Sequence, residues 1–276
     1  MHPTYYKDFG NSPLKLISSV QGSRMKNLVQ FVQPIRNYYL TVGLLLMLNC
    51  FSQPLLATTL TVNSLEDTTI ADERCTLREA LDNANHDNAG IGDCEAGNQD
   101  DVIDLSGLNG IITLSSQLEI SSNLTLEGPG AEILTLDGDR KYLVLWIKSD
   151  TTVKIKGLKI SRGYGGGVKN EGILTIEEST VSENWVDSRS GGIYNDGNLI
   201  LTNSTVSENF ASSWGGGIYN EMGTLTLNES TVSENSAGSW GGGIIITGGT
   251  SNLINSSVLG NAVSSLGVAR FKTQTL

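Results

Sequence analysis

The chain has 276 residues and a formal net charge of −11, with 17% charged residues, 6% aromatics and 32 glycines. Glycine at this level, against a usual share of about 7%, with only five prolines, fits neither collagen nor a proline-rich linker. The low charge excludes a solvated disordered chain, and the acidic balance excludes nucleic acid and anionic lipid as partners, since both need a basic face.

Residues 1–57 read as a separate leader. They hold Lys7, Lys15, Arg24, Lys26 and Arg36 but only Asp8 as an acid, and the apolar run Leu40–Phe51 follows directly. That run is shorter than the roughly 20 residues needed to span a bilayer. It matches the h-region of a secretory signal behind a basic n-region. Cleavage is expected after Ala57, with Leu55 where a small residue is usual, and Met25 offers an alternative start. An uncleaved anchor and a lipid attachment at Cys50 are the competing readings. Removal of the leader leaves 13 basic and 28 acidic residues, a net of −15. The mature chain is therefore expected to be exported, secreted or at the cell surface, more acidic than the whole, and not inserted in a membrane.

Residues 58–105 are expected to form an N-terminal cap. Cys75 and Cys94 remain after cleavage, and two cysteines in an exported chain read as one disulfide. Thr76 and Glu79 have the spacing of a capping box, in which each side chain reaches the other residue's backbone N–H. Leu77, Ala80, Leu81 and Ala84 fall on one helical face, and Asn85–Gly92 reads as loop. So short a helix is unstable alone and needs an apolar surface to sit on. Leu60–Asn63 (LTVN) followed by Cys75–Ala80 (CTLREA) resembles the "CSLREA" N-terminal module of bacterial exported β-helix proteins, with Thr76 for Ser keeping the N-cap chemistry. The resemblance covers roughly residues 59–105. It implies an exported location and a fold, not a reaction.

Residues 106–276 read as stacked coils. Ile111–Leu114, Leu124–Leu126, Leu134–Leu136, Leu143–Ile147, Val153–Ile155 and Leu158–Ile160 are short aliphatic runs. From residue 165 the chain repeats. A Gly-Gly pair precedes Val168, Ile193, Ile218 and Ile244, and Ser-Thr-Val-Ser-Glu-Asn recurs at 179–184, 204–209 and 230–235. A fixed period of this size means a solenoid. Within it, Leu174/Ile176, Leu199/Leu201 and Leu225/Leu227 alternate with Thr175, Ile200 and Thr226, a strand period. The fold class is all-β: a single-stranded parallel β-helix of about seven coils with one short helix in its cap. At about 4.8 Å per coil the rod would be about 34 Å long. The preference of parallel crossovers makes it right-handed, as the family resemblance also implies.

Asn184, Asn209, Asn235 and Asn261 would form one column and Asn170, Asn195 and Asn220 a second, with side-chain amides bonding along the axis and asparagine taking left-handed backbone. The glycine pairs would supply positive φ at a third corner. The repeats Gly166-Gly167-Val168, Gly191-Gly192-Ile193, Gly216-Gly217-Ile218 and Gly242-Gly243-Ile244, alternating with Val181-Ser182-Glu183-Asn184 and its copies, are similar to those of the polymorphic outer membrane proteins, with Val where that family has Phe. That resemblance implies a surface or secreted role, with adhesion as the usual inference.

Chemistry is sparse in this pattern. His2 and His86 are the only histidines, so a Ser-His-Asp site is not expected. Asp137-Gly138-Asp139-Arg140-Lys141 gathers acids and bases on one loop, and reads as a tight turn. Glu183, Glu208 and Glu234 would form an exposed acidic column, either a solvated face or a Ca²⁺ site; no other cofactor is expected. Trp214 and Trp240, with Tyr194 and Tyr219, would stack in successive coils, either as packing or as a platform for sugar rings. Trp185 lies out of that register. The chain thus reads as a non-catalytic, adhesin-like binding module for carbohydrate or a surface protein. A β-helix polysaccharide lyase or glycoside hydrolase is the rival reading, and a fragment of a larger surface protein the third. An Asp/Arg/Lys cluster on one outer face of adjacent coils would mark the enzyme, and the sequence does not show one.

Overall fold

The computed structural model describes residues 57–87 and 92–264. The leader therefore lies outside the described residues, apart from Ala57, as does the expected end of the repeats beyond residue 264. Among the described residues no helix is long and apolar enough to cross a membrane.

The described strands form four parallel sheets, each stacking one strand per coil. Sheet A has eight strands, from Thr59–Thr61 to Thr250–Ile254; sheet B has seven, from Gly110–Thr113 to Ser257–Leu259. Sheet C has six, from Leu118–Ile120 to Ile244–Ile246, and sheet D four, from Trp185–Val186 to Ala262–Val263. A full coil visits A, B, D and C in that order, for example Ile173–Glu177, Thr180–Ser182, Trp185–Val186 and Ile193–Asn195. The fold is a parallel β-solenoid of about seven turns.

Strand alternation builds the core. In sheet A, Leu174, Leu199 and Leu225 pair in one inward column and Ile176, Leu201 and Leu227 in the next, while Thr175, Ile200 and Thr226 face out. Val181, Val206 and Val232 supply the equivalent column of sheet B. Each inward column is buried, so the hydrophobic contribution accrues coil by coil. The repeat steps by 25 residues between Asn195 and Asn220 but by 26 between Asn198 and Thr224. The extra residue is Met222, which is 75% exposed at the corner between sheets C and A.

The cap is continuous with the coils. Thr59–Thr61 and Asp101–Asp104 are the first two strands of sheet A, so the stretch 58–105 already contains rungs of the solenoid. Between them runs α1 (Leu77–His86), two residues longer than its apolar face requires. Thr76 and Glu79 form the capping box, and Asp87 closes the helix in a left-handed conformation. Leu77, Ala80, Leu81 and Ala84 are buried. The Cys75 and Cys94 sulfurs lie at disulfide bonding distance, with Cα atoms 4.7 Å apart. Arg78 clamps Asp67 through two bonds of 2.9 and 2.7 Å, and Asp67 also accepts the Ser115 N–H at 2.6 Å.

Two expectations about the corners are corrected. Asparagine does not take the left-handed backbone in either column. That conformation falls one residue earlier, on Glu183, Glu208 and Glu234 (φ 59°, 57° and 56°) and on Gly260 in the last coil (φ 65°). The buried Asn184 amide reaches the Ile160 carbonyl and the Asn209 side chain of the adjoining coils, and the left-handed turn falls on its exposed neighbour Glu183. The glycine pairs likewise lack positive φ, except at Gly166. The left-handed residue precedes the pair, at Ser190, Gly215 and Gly241. The pairs are glycine because coils approach closely there: a Cβ on Gly192 would collide with the Gly217 carbonyl and the Asn209 side chain.

Candidate functional site: the outer face of sheet C

The outward column of sheet C runs Glu119, Trp146, Lys169, Tyr194, Tyr219 and Ile245, one residue per coil. Strand pleating puts them there, because their neighbours on either side point inward. Glu171, Asp196 and Glu221 follow at the next corner in a second column, each N–H bonding a carbonyl of the preceding coil. The spacing of parallel strands sets such columns about 4.8 Å apart per step. A third column, Arg189, Trp214 and Trp240, lies before the glycine pairs and is joined by backbone bridges.

These columns interlock. Lys148 and Lys169 sit over the Trp146 ring, 3.4 and 4.3 Å from its centroid. Lys148 also pairs with Glu119 (3.2 Å) and Lys169 with Glu171 (2.7 Å). Trp146 Nε1 donates to Glu171 at 3.0 Å. Burial pushes the Glu171 carboxyl up, but the bonds from Lys169 and Trp146 outweigh it and hold the group below the usual carboxylate range. Tyr194 and Tyr219 stack with centroids 5.7 Å apart. The Tyr194 hydroxyl donates to Glu221; burial and then that bond push its pKa far up, so the phenol is neutral. Arg189 lies 4.6 Å from the Trp214 centroid and 3.6 Å from Glu221.

The residues expected from sequence thus divide. Tyr194, Tyr219 and Trp214 come together on this face, and Trp214 stacks on Tyr219 (6.4 Å). Tyr219 is itself buried, so it serves as packing beneath the face, whereas Trp240 is 59% exposed. Trp146, Lys169 and the acidic column were not singled out from sequence; the recurring acid after each Asn170, Asn195 and Asn220 is the signal that marks it. Three ion pairs lie on this face, Lys148 with Glu119, Lys169 with Glu171 and Arg189 with Glu221; their acids are glutamates, not the aspartates of the Asp/Arg/Lys grouping expected of an enzyme. Trp185, out of register with these, stacks on Phe210 in sheet D (6.3 Å) and packs at a tilt against Tyr164 (5.1 Å).

The Glu183, Glu208 and Glu234 column is exposed as expected, but Glu183 is tied to Lys159 at 2.7 Å, which lowers its pKa. Among the described residues no three His, Cys, Asp or Glu side chains converge as a metal site would require. The loop at Asp137–Lys141 is a turn with Asp139 and Arg140 at positive φ, and Asp137 is buried against Arg162 (2.6 Å). Both asparagine columns are hydrogen-bonded ladders inside the coil, not surface groups.

Residues 139–263 match the family model for a right handed beta helix region. The match spans the regular coils and the acid–aromatic face from Trp146 to Ile245, but reaches neither Glu119 nor the cap. No curated protein and no solved structure matches the chain. The right-handed β-helix supplies the scaffold, and its chemistry has to be read from the outer face itself.

Proposed function

We propose that this chain is an exported β-helix that binds carbohydrate, in a non-catalytic, adhesin-like role, through the outer face of sheet C. The observation that carries the reading is the column Trp146, Lys169 and Tyr194 flanked by Glu171, Asp196 and Glu221. Aromatic faces stack on sugar rings, and fixed carboxylates and ammonium groups bond their hydroxyls. The coil spacing repeats this chemistry along the axis, which suits a chain ligand. A groove of about 420 Å³ at the neighbouring corner, lined by Glu171, Gly172, Asp196 and Gly197 among others, extends the face with backbone and carboxylate groups. The leader and the CSLREA-like stretch support export to the surface or beyond.

Cleavage is the second reading, favoured by the acids and bases that share this face. Glycosidic hydrolysis needs a carboxylic acid with a raised pKa to protonate the leaving group. On this face Glu171 is held in the opposite direction. Asp101, whose carboxyl is pushed up by burial, is enclosed at the first coil and bonded to the Asn98 N–H. A glycan-array screen of the purified protein, paired with a uronide-release assay, tests both readings. Binding without bond cleavage, weakened at least tenfold by Trp146→Ala, is expected. Release of unsaturated or reducing sugar ends overturns the binding reading in favour of the enzyme.

A further inference from the structure

A second aromatic ladder lies outside the face of sheet C. Tyr164, Trp185 and Phe210 occupy equivalent places in three successive coils, in sheet D and at the bridge beside it. Tyr164 and Trp185 are 38% and 42% exposed, and Phe210 is half-buried. Trp185 and Phe210 lie within 29° of parallel, so their outer faces form one shelf. Ser236 and Ala262 follow in the same column, so the shelf ends after Phe210. The inward column of sheet D is filled by Ala211 and Ala237, and the core does not need these rings.

A cation stands at the first end of the shelf. The turn at Asp137–Lys141 lies one coil before Tyr164: the Arg162 carbonyl accepts the Arg140 N–H at 2.7 Å, and the Tyr142 carbonyl accepts the Tyr164 N–H at 3.0 Å. Arg140 is exposed and left-handed (φ 55°), directly after left-handed Asp139 (φ 54°). Two successive non-glycine residues in that conformation are costly, and such outliers cluster at ligand sites. Among the described residues every other Lys and Arg is ion-paired with a carboxylate, and Arg140 alone is not. Its charge is felt along the shelf. The bond from Lys159 outweighs burial in lowering the Glu183 carboxyl, and Arg162 and Arg140 add to it; Glu183 lies two residues before Trp185.

This charge pattern selects among ligands. A guanidinium with free donors takes a carboxylate or sulfate through paired N–H bonds. The later coils offer no second free cation at this corner. They offer Glu183, Glu208 and Glu234, which repel a polymer with an acid on every ring. A chain with one anionic group at its end meets Arg140 and leaves neutral rings for the aromatic faces.

We propose that sheet D carries a second glycan site, separate from the face of sheet C, for a sugar chain that ends in a single acidic sugar. The terminal anion sits on Arg140, and the neutral rings behind it lie along Trp185 and Phe210. The site stands whether or not the face of sheet C binds sugar.

The test is an array of matched glycans, each presented neutral, ending in a sialic acid and ending in a sulfated sugar, with polygalacturonate beside them. The purified full chain is compared as wild type, Arg140→Gln, Trp185→Ala and Trp146→Ala, with circular dichroism to report folding. Wild type is expected to favour an acid-terminated member at least tenfold over its neutral match and over polygalacturonate, and the two acid arms tell carboxylate from sulfate. Folded Arg140→Gln should lose that preference, Trp185→Ala should lose binding of these glycans, and Trp146→Ala should keep both. The proposal is overturned by a wild type without acid preference, by a preference that survives in folded Arg140→Gln, or by polygalacturonate bound as tightly. Loss of the preference in Trp146→Ala would also overturn it, by moving these glycans to the face of sheet C. A profile that Trp146→Ala leaves wholly unchanged counts against the sheet C reading alone.

Discussion

Asn209 accepts at a single atom, Oδ1, both the backbone N–H and the side-chain amide of Asn184, at 3.1 and 2.9 Å. Its own amide donates to Asn235 Oδ1 and to the Val181 carbonyl, each at 2.9 Å. One buried side chain thus ties together three successive coils. Asn209→Ala strands the Asn184 donors and the Val181 acceptor without water. A loss of about 3 kcal/mol is expected, since each buried orphan costs roughly 1–3 kcal/mol. Chemical denaturation of the variant against wild type measures it, and a loss below about 1 kcal/mol would sink the ladder as a stabilising element.

Gly192→Ala is expected to be poorly tolerated, because the new methyl has only the Gly217 carbonyl and the Asn209 amide to displace. A methyl on Gly107 would meet only open space, so Gly107→Ala should fold with stability within about 0.5 kcal/mol of wild type. Thermal melting of the two variants side by side separates close approach from simple glycine content.

Glu208 holds a left-handed backbone for which a Cβ is unfavourable by roughly 1–2 kcal/mol. Gly260 fills the same place in the last coil. Glu208→Gly should therefore raise stability, by up to about 1 kcal/mol after the added unfolded-state entropy of glycine. Because the glutamates do not converge, calcium should leave the melting temperature of wild type and variant unchanged. A calcium-dependent rise lost in the variant would establish the column as a cation site.

Tyr194 provides a titration marker. Its phenol is half-buried and bonded to Glu221, so its folded pKa lies far above the ordinary value of about 10. A raised folded pKa contributes stability in full below the unfolded value, and the contribution is lost as pH rises beyond it. Alkaline titration at the tyrosinate band should show Tyr194 ionising late, as does Tyr164 through its bond to Asp187, and Glu221→Gln should bring only Tyr194 earlier. Glu171 has the opposite sign. Its stabilisation is present above the ordinary carboxylate range and fades as pH falls through the depressed folded value, so Glu171→Gln should lower the melting temperature at pH 7 and cease to matter in acid.

Reduction of the Cys75–Cys94 pair should destabilise the cap by about 3 kcal/mol, from the 19-residue separation it closes. Melting in reductant, with Cys75→Ser/Cys94→Ser as control, gives the value.

Much of the fold was legible because a solenoid writes its geometry into a period. Leu174, Leu199 and Leu225 announce a strand face, and Thr76 with Glu79 announces a helix start, by local rules alone. The corners were legible only in part. Sequence shows that Glu183, Asn184 and the glycines share a turn, but not which of them is left-handed, since that depends on Asn184 needing to reach Asn209 in the next coil. The acid–aromatic face was the hardest to see. Tyr194 recurs as Tyr219, but Trp146 and Lys169 differ in type at the equivalent positions, so no repetition flags them, and only the register of sheet C sets them beside Tyr194.

The protruding Met222 shows how such a rod can change length. One extra residue enters a coil, is expelled at the corner between sheets C and A, and the columns of both sheets continue unshifted beyond it. Errors of one residue are therefore absorbed locally, while duplication of an entire coil adds a rung whose every contact already exists in its neighbours. The reach of the outer face of sheet C can then vary in single-coil steps, by genetic copying, without redesign of the core.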